Sequence, residues 1–262
     1  MVADAPLVAQ TTGAPGRVET RRGGSLMSWL GMPVLLALIL GGTYLWVSSL
    51  ELDSIEQRTL NAAMLTEKTL EHLELTAVST AIVIVIAIPL GILLSRRFAR
   101  PVVPVVLAVA NIGQGVPSLG LITIIVLWTS LGFGPVIIGL VACSVLPILR
   151  NTMVGLEQVD QKVIQASRGM GMSPLQVLLK VELPLALPVM IAGIRTALII
   201  NVGTATLGTY FGVGGLGYII VNGIQLDRTP VLITGIVMVS ALALLVDYLA
   251  GAVGRLLAPR GL

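Results

Sequence analysis

Six stretches of the chain are apolar and almost free of charge over, or close to, the 20 or so residues a helix needs to cross a hydrocarbon core. They run over 30–50, 73–94, 102–128, 136–156, 185–210 and 231–257, and each predicts a transmembrane helix. The third and fifth are longer than a crossing requires and are interrupted by breakers, with Gly113, Gly115 and Pro117 in the third. Broken backbone is tolerated at membrane depth where it faces protein or a water-filled cavity, not lipid. About thirty residues of mixed polarity, 156–185, separate the fourth and fifth stretches. The fifth and sixth are separated by the glycine-rich run from Phe211 to Tyr218 and a short apolar piece, 219–224, expected to be an outer re-entrant or interfacial element. Residues 1–25, rich in Ala, Gly, Thr and Pro, have no apolar period and are expected to be a disordered cytoplasmic tail. The organisation expected is therefore this tail, a first helix with an outer loop (26–72), a core (73–257) holding the inner loop 156–185, and a short cytoplasmic tail (258–262). The fold class is all-α: a polytopic membrane protein of about six transmembrane helices.

Charge sets the orientation. Of 16 Lys and Arg residues, all but Arg58, Lys68 and Arg228 fall in segments that share one side when the N-terminus is placed inside. Cytoplasmic loops carry the excess of Lys and Arg, so both termini are expected in the cytoplasm of a bacterial cell. Composition agrees: 55% of the 262 residues are hydrophobic and 11% charged, with mean hydropathy +0.97. A soluble domain carries about 25% charge, so there is too little polar surface here to keep the chain in water. The net charge of +3 is spread over short loops, which argues against nucleic acid as a partner. The Arg21-Arg22 pair reads as a positive flank of the first helix rather than an export signal. Cys143, the one cysteine, and His72, the one histidine, cannot build a metal site within one chain, and none is expected; Cys143 reads as a small buried residue and His72 as solvated in the outer loop.

The inner loop has its own local logic. Asp160 to Met170 predicts a short helix with Val163, Ile164 and Ser167 on one side, and Gly171 a left-handed stop. Ser173 and Pro174 are a natural N-cap and first position of a second helix, with Val177, Leu178 and Val181 as its apolar face and Leu183-Pro184 as its end. A helix–turn–helix standing in the cytoplasm suits docking into a groove on a partner. In this loop Gln165-Ala166-Ser167 is followed, after Arg168, Gly169 and Met170, by Gly171, and, after nine intervening residues, by Val181-Glu182-Leu183-Pro184. The stretch resembles the E-A-A, three residues, G, nine residues, I-x-L-P loop of binding-protein-dependent ABC importer permeases. Spacing agrees throughout; Gln165 replaces Glu, and Ser167 the second Ala. The segments 111–119, 146–152, 201–207 and 214–217 are similar to those of glycine betaine/carnitine/choline permeases.

The resemblance implies a type I ABC importer permease fold that couples ATP hydrolysis on a partner to uptake of an osmoprotectant such as glycine betaine, choline or carnitine. It implies two cytosolic ATP-binding subunits, a second permease subunit of the same or a paralogous kind, and an extracytoplasmic substrate-binding protein. Gln165, Ala166, Ser167, Arg168, Gly169, Gly171, Leu183 and Pro184 are then the ATPase coupling loop. The chain has no GxxxxGK[ST] loop, so no catalytic residue and no cofactor is assigned to it. Aromatic residues are only 4% and form no cage for a quaternary ammonium, which leaves substrate selection to the binding protein. Gln114, Ser118, Asn201, Thr204 and Thr206 are the uncharged polar residues of the broken third and fifth stretches. They are candidates for the substrate path, with contact between helices as the competing role. Arg195 and Asp247, towards the inner ends of their spans, read as a snorkelling residue and a carboxylate seeking a basic neighbour. Other readings are a permease for methionine or a sulfonate, a membrane-embedded enzyme and an ion channel; no paired acids, Ser/His couple or ring of charges supports the last two.

Overall fold

The computed structural model describes residues 26–257; the expected tails, 1–25 and 258–262, lie outside the described residues. The helices are α1 (Leu26–Ser48), α2 (Ser54–Thr59), α3 (Ala62–Leu94), α4 (Val103–Gly115), α5 (Ser118–Trp128), α6 (Phe133–Glu157), α7 (Gln161–Gly169), α8 (Pro174–Val177), α9 (Leu183–Ala205), α10 (Gly217–Gln225) and α11 (Thr229–Leu257). No strand occurs among the described residues. Five helical stretches are long and apolar enough to cross a membrane, and a sixth forms if the bent pair α4–α5 counts as one span. The six apolar stretches of the sequence are thus all present as helices.

The third stretch breaks where its breakers stand. α4 and α5 meet at Val116-Pro117 with an angle of 101° between them. The second stretch differs from expectation at its N-terminal end. Asn61 caps α3 by accepting the Met64 amide, and the helix runs for 33 residues, about 50 Å at 1.5 Å per residue. That exceeds a hydrocarbon core of about 30 Å, so its first turns, with Glu67, Lys68, Glu71 and His72, continue beyond the apolar part. The pattern gave no sign of this because a polar helical extension has no apolar run. α2 is held by a capping box between Asp53 and Glu56. The Glu56 and Ile55 amides and the nearby Arg228 keep the Asp53 carboxyl below the usual carboxylate range, and Asp53 reaches Arg228 at 2.9 Å.

The fifth stretch also corrects an expectation: Leu183-Pro184 does not end a helix. The chain stays helical from Pro174 to Phe211, through a π turn at Leu178–Glu182 and a closing 3₁₀ turn at Thr206–Phe211. Pro184 lacks an N–H, and a proline ring inside an α-helix clashes with the carbonyl four residues back. The wider π turn, in which the Leu183 amide reaches back to the Leu178 carbonyl, re-aims those carbonyls and lets the helix pass the proline.

α6 is the centre of the bundle. It packs against α3, α4, α5 and α9, and half of its most apolar window is buried, against 6% for α1. α1 touches the rest mainly through α11 and lies at the periphery. α9 and α11 are joined by Arg195 and Asp247, with Nε–Oδ1 at 2.8 Å and Nη2–Oδ2 at 2.7 Å. Asp247 has the basic neighbour that its position called for.

Candidate functional site: the coupling loop and the cavity beside the broken helix

The loop between α6 and α9 is built by local rules. Asp160 caps α7 by accepting the Lys162 amide at 2.8 Å. Gly171, at φ +85°, takes the left-handed conformation that turns the chain, and the Met172 amide closes the helix end by donating to the Ser167 carbonyl at 3.2 Å. Ser173 then opens α8 with a capping box: its Oγ accepts the Gln176 amide and its own amide donates to Gln176 Oε1.

Ile164 and Ser167 face inward, where Ile164 packs with Val159, Val177, Met172 and Val181. Val163 does not join them, as had been expected; it is exposed. The correction is one of angle: the inward face of this nine-residue helix is narrow. Ser167 stays satisfied by donating to the Val163 carbonyl at 2.8 Å. Gln165, Ala166, Arg168, Gly169 and Gly171 are all exposed, together with the large apolar side chains of Val163, Met170, Leu175 and Leu179. Leu183 and Pro184 are half-buried at the start of α9. The loop thus exposes Val163, Met170, Leu175 and Leu179 beside the charged Asp160, Lys162, Arg168 and Lys180.

A second feature lies at the α4–α5 break. A cavity of about 470 Å³ is lined by residues 113–118, Cys143 of α6, and Ile200 and Thr204 of α9. Three of the five path candidates, Gln114, Ser118 and Thr204, therefore come together around one space, offering an amide and two hydroxyls and no charge. Cys143 is buried as expected and borders the same cavity. Asn201 and Thr206 do not line it. Asn201 is fully buried and joins α9 to α3 by donating from Nδ2 to Thr80 Oγ1 at 2.9 Å. Thr206 Oγ1 donates to the Gly203 carbonyl at 2.7 Å.

The glycine run 211–217 is gripped by the N-terminal end of α3. The Gly215 amide donates to Glu71 Oε2 at 2.7 Å and the Leu216 amide to His72 Nδ1 at 3.3 Å. His72 Nε2 lies 2.9 Å from the Val202 carbonyl. A carbonyl only accepts and an amide only donates, so the ring carries its proton on Nε2. His72 is therefore not solvated in a loop, as its neighbourhood suggested, but fully buried on a helix. Gly214 is at φ +78°, and a Cβ there would run into the Glu71 carboxylate.

Residues 87–259 match the model of the binding-protein-dependent transport system inner membrane component family. The chain belongs to this family. Among its relatives, the choline transport system permease protein OpuBB of Bacillus subtilis is 37% identical over 202 residues, 77% of this chain and 92% of that one. The carnitine transport permease protein OpuCD of Listeria monocytogenes is 37% identical over 206 residues, 78% of this chain and 92% of that one. The osmoprotectant import permease protein OsmY of Salmonella typhimurium is 36% identical over 230 residues, 88% and 95% of the two chains. A chain of the MetNI methionine ABC transporter, solved in inward-facing conformations, superposes with a TM-score of 0.66 at 28% identity and covers 76% of this chain and 100% of that one. The fold is that of a type I ABC importer permease, and the protein is a multi-pass membrane transport subunit.

Proposed function

We propose that this chain is the transmembrane subunit of an ATP-driven importer of osmoprotectants such as glycine betaine, choline or carnitine. The observation that carries the coupling role is the helix–turn–helix at residues 161–177, with its exposed apolar side chains and its left-handed turn at Gly171. ATP hydrolysis takes place on a pair of cytosolic subunits that dock there. A second permease subunit completes the translocation path, and an extracytoplasmic binding protein delivers the solute. Both termini lie in the cytoplasm. This orientation places the Arg- and Lys-rich segments inside and the clustered Asp53, Arg228 and glycine run outside. The core spans 73–257, and 26–72 add a peripheral helix and the outer segment.

Gln114, Ser118 and Thr204 line the path. Uncharged hydrogen-bonding groups suit a zwitterion that must be passed on rather than held, since a tight site would slow release. Asn201 and Thr206 support this path from the helix pack. The likeness to a methionine transporter favours a second reading, a methionine permease, but the osmoprotectant permeases are more similar in sequence.

The test is uptake of labelled glycine betaine into proteoliposomes holding this chain with its ATPase, its permease partner and its binding protein. ATP-dependent uptake that unlabelled choline or carnitine suppresses supports the reading. Uptake of methionine and not of glycine betaine replaces it with the second.

A further inference from the structure

Glu182, the last residue of the π turn, is buried, with 4% of its surface exposed. Its carboxylate receives Arg96 Nη2 at 2.6 Å. Arg96 stands in the turn directly after α3. A buried carboxylate is costly unless paired and hydrogen-bonded, so the position of Glu182 is fixed by that of the guanidinium. Apolar contacts back the pair on both sides. Leu178 and Leu183 pack against the buried Leu156, Ala186 and Met190, and so do Ile88 and Ile92 of α3. Val177 and Val181 pack with Ile164 of α7. The π turn therefore holds α7 on one face and the C-terminal end of α3 on the other. Apolar faces slide over one another at little cost, whereas a buried ion pair fixes one register.

We propose that Arg96 and Glu182 are the positioning pair that carries displacement of α7 into α3, so that without the pair ATP hydrolysis and transport separate. This rests on the importer reading above. α3 is one continuous helix from this pair to Glu71 and His72, which hold the glycine run at its other end. Movement imposed at the π turn thus reaches the opposite side of the protein through a single helix.

The experiment uses the full complex in proteoliposomes and reads ATP hydrolysis and labelled glycine betaine uptake together. Glu182→Gln and Arg96→Gln are expected to assemble and to keep the rate of ATP hydrolysis seen without the binding protein, while uptake per ATP falls roughly tenfold. Arg96→Lys keeps a charge at this position and is expected to retain most of the coupling. A second design guards against loss of folding: R96C and E182C in a C143A background, joined by a short bismaleimide. Uptake per ATP is expected to be low before joining and to recover after it. Unchanged uptake per ATP in Glu182→Gln, or proportional loss of hydrolysis and uptake with no recovery on joining, overturns the proposal. If the unmodified complex takes up no betaine, the substrate reading fails before any variant is measured. Stimulation of the ATPase by the binding protein then reads the pair instead, with its loss in Glu182→Gln supporting the proposal and its retention overturning it.

Discussion

At the residue scale, three polar side chains of the apolar helices, Asn201, Arg195 and Asp247, find partners on other helices. Arg195 and Asp247 share two hydrogen bonds between α9 and α11. Removing one partner leaves the other uncompensated where water is scarce. Asp247→Leu and Arg195→Leu are each expected to destabilise the protein by about 1.5–3 kcal/mol, and the double change to Leu at both positions to recover most of that loss. Thermal unfolding of the four members of this cycle in detergent checks it; additive losses would deny the pairing. The cavity residues are expected to behave differently from Asn201. Gln114→Ala and Thr204→Val should lower uptake several-fold with little effect on unfolding, because they face open space. Asn201→Ala should lower stability by about 1–3 kcal/mol, and uptake only in proportion to the folded fraction. That Asp247 needs a basic neighbour was legible in sequence, because a lone carboxylate in an apolar run is costly; that Arg195 is that neighbour was not, since a cation near the end of a span can equally well snorkel. His72 and Asn201 were not legible either, because their partners lie 130 and 121 positions away and no local pattern points to them.

At the element scale, breaks in the helices coincide with the candidate site. The α4–α5 break opens the cavity, the π turn carries the chain past Pro184, and Gly171 turns the coupling loop. Gly171 and Ser173-Pro174 were readable because turn chemistry is local; the π turn was not, because Pro184 at a membrane edge reads equally well as an end. The clasp is a further element, joining α3 to the glycine run through Glu71 and His72. Glu71→Ala is expected to release the Gly215 amide, with hydrogen exchange there faster by roughly tenfold, while the Leu216 amide stays held by His72 and exchange in α6 is unchanged. Equal acceleration throughout the bundle would mean that Glu71 supports the whole fold rather than this loop.

At the scale of the whole molecule, a central α6 is wrapped by α3, α4, α5 and α9, and α1 stands outside. The six apolar stretches foretold this helix count because lipid allows few alternatives to a helix. Which helix would lie at the centre was hidden, since in lipid every span is apolar whether buried or not. Under the proposed function the molecule would be a mechanical converter, with the loop at 161–183 receiving motion from an ATPase and the bundle turning it into transport. Gly171→Val tests this most directly, because a β-branched residue is strained at φ +85° and the bundle itself is untouched. ATP hydrolysis and betaine uptake would be measured together in proteoliposomes for the unmodified and the Gly171→Val complexes. The account predicts a variant that inserts and folds while its uptake per ATP hydrolysed falls roughly tenfold; unmodified uptake per ATP in that variant would contradict it.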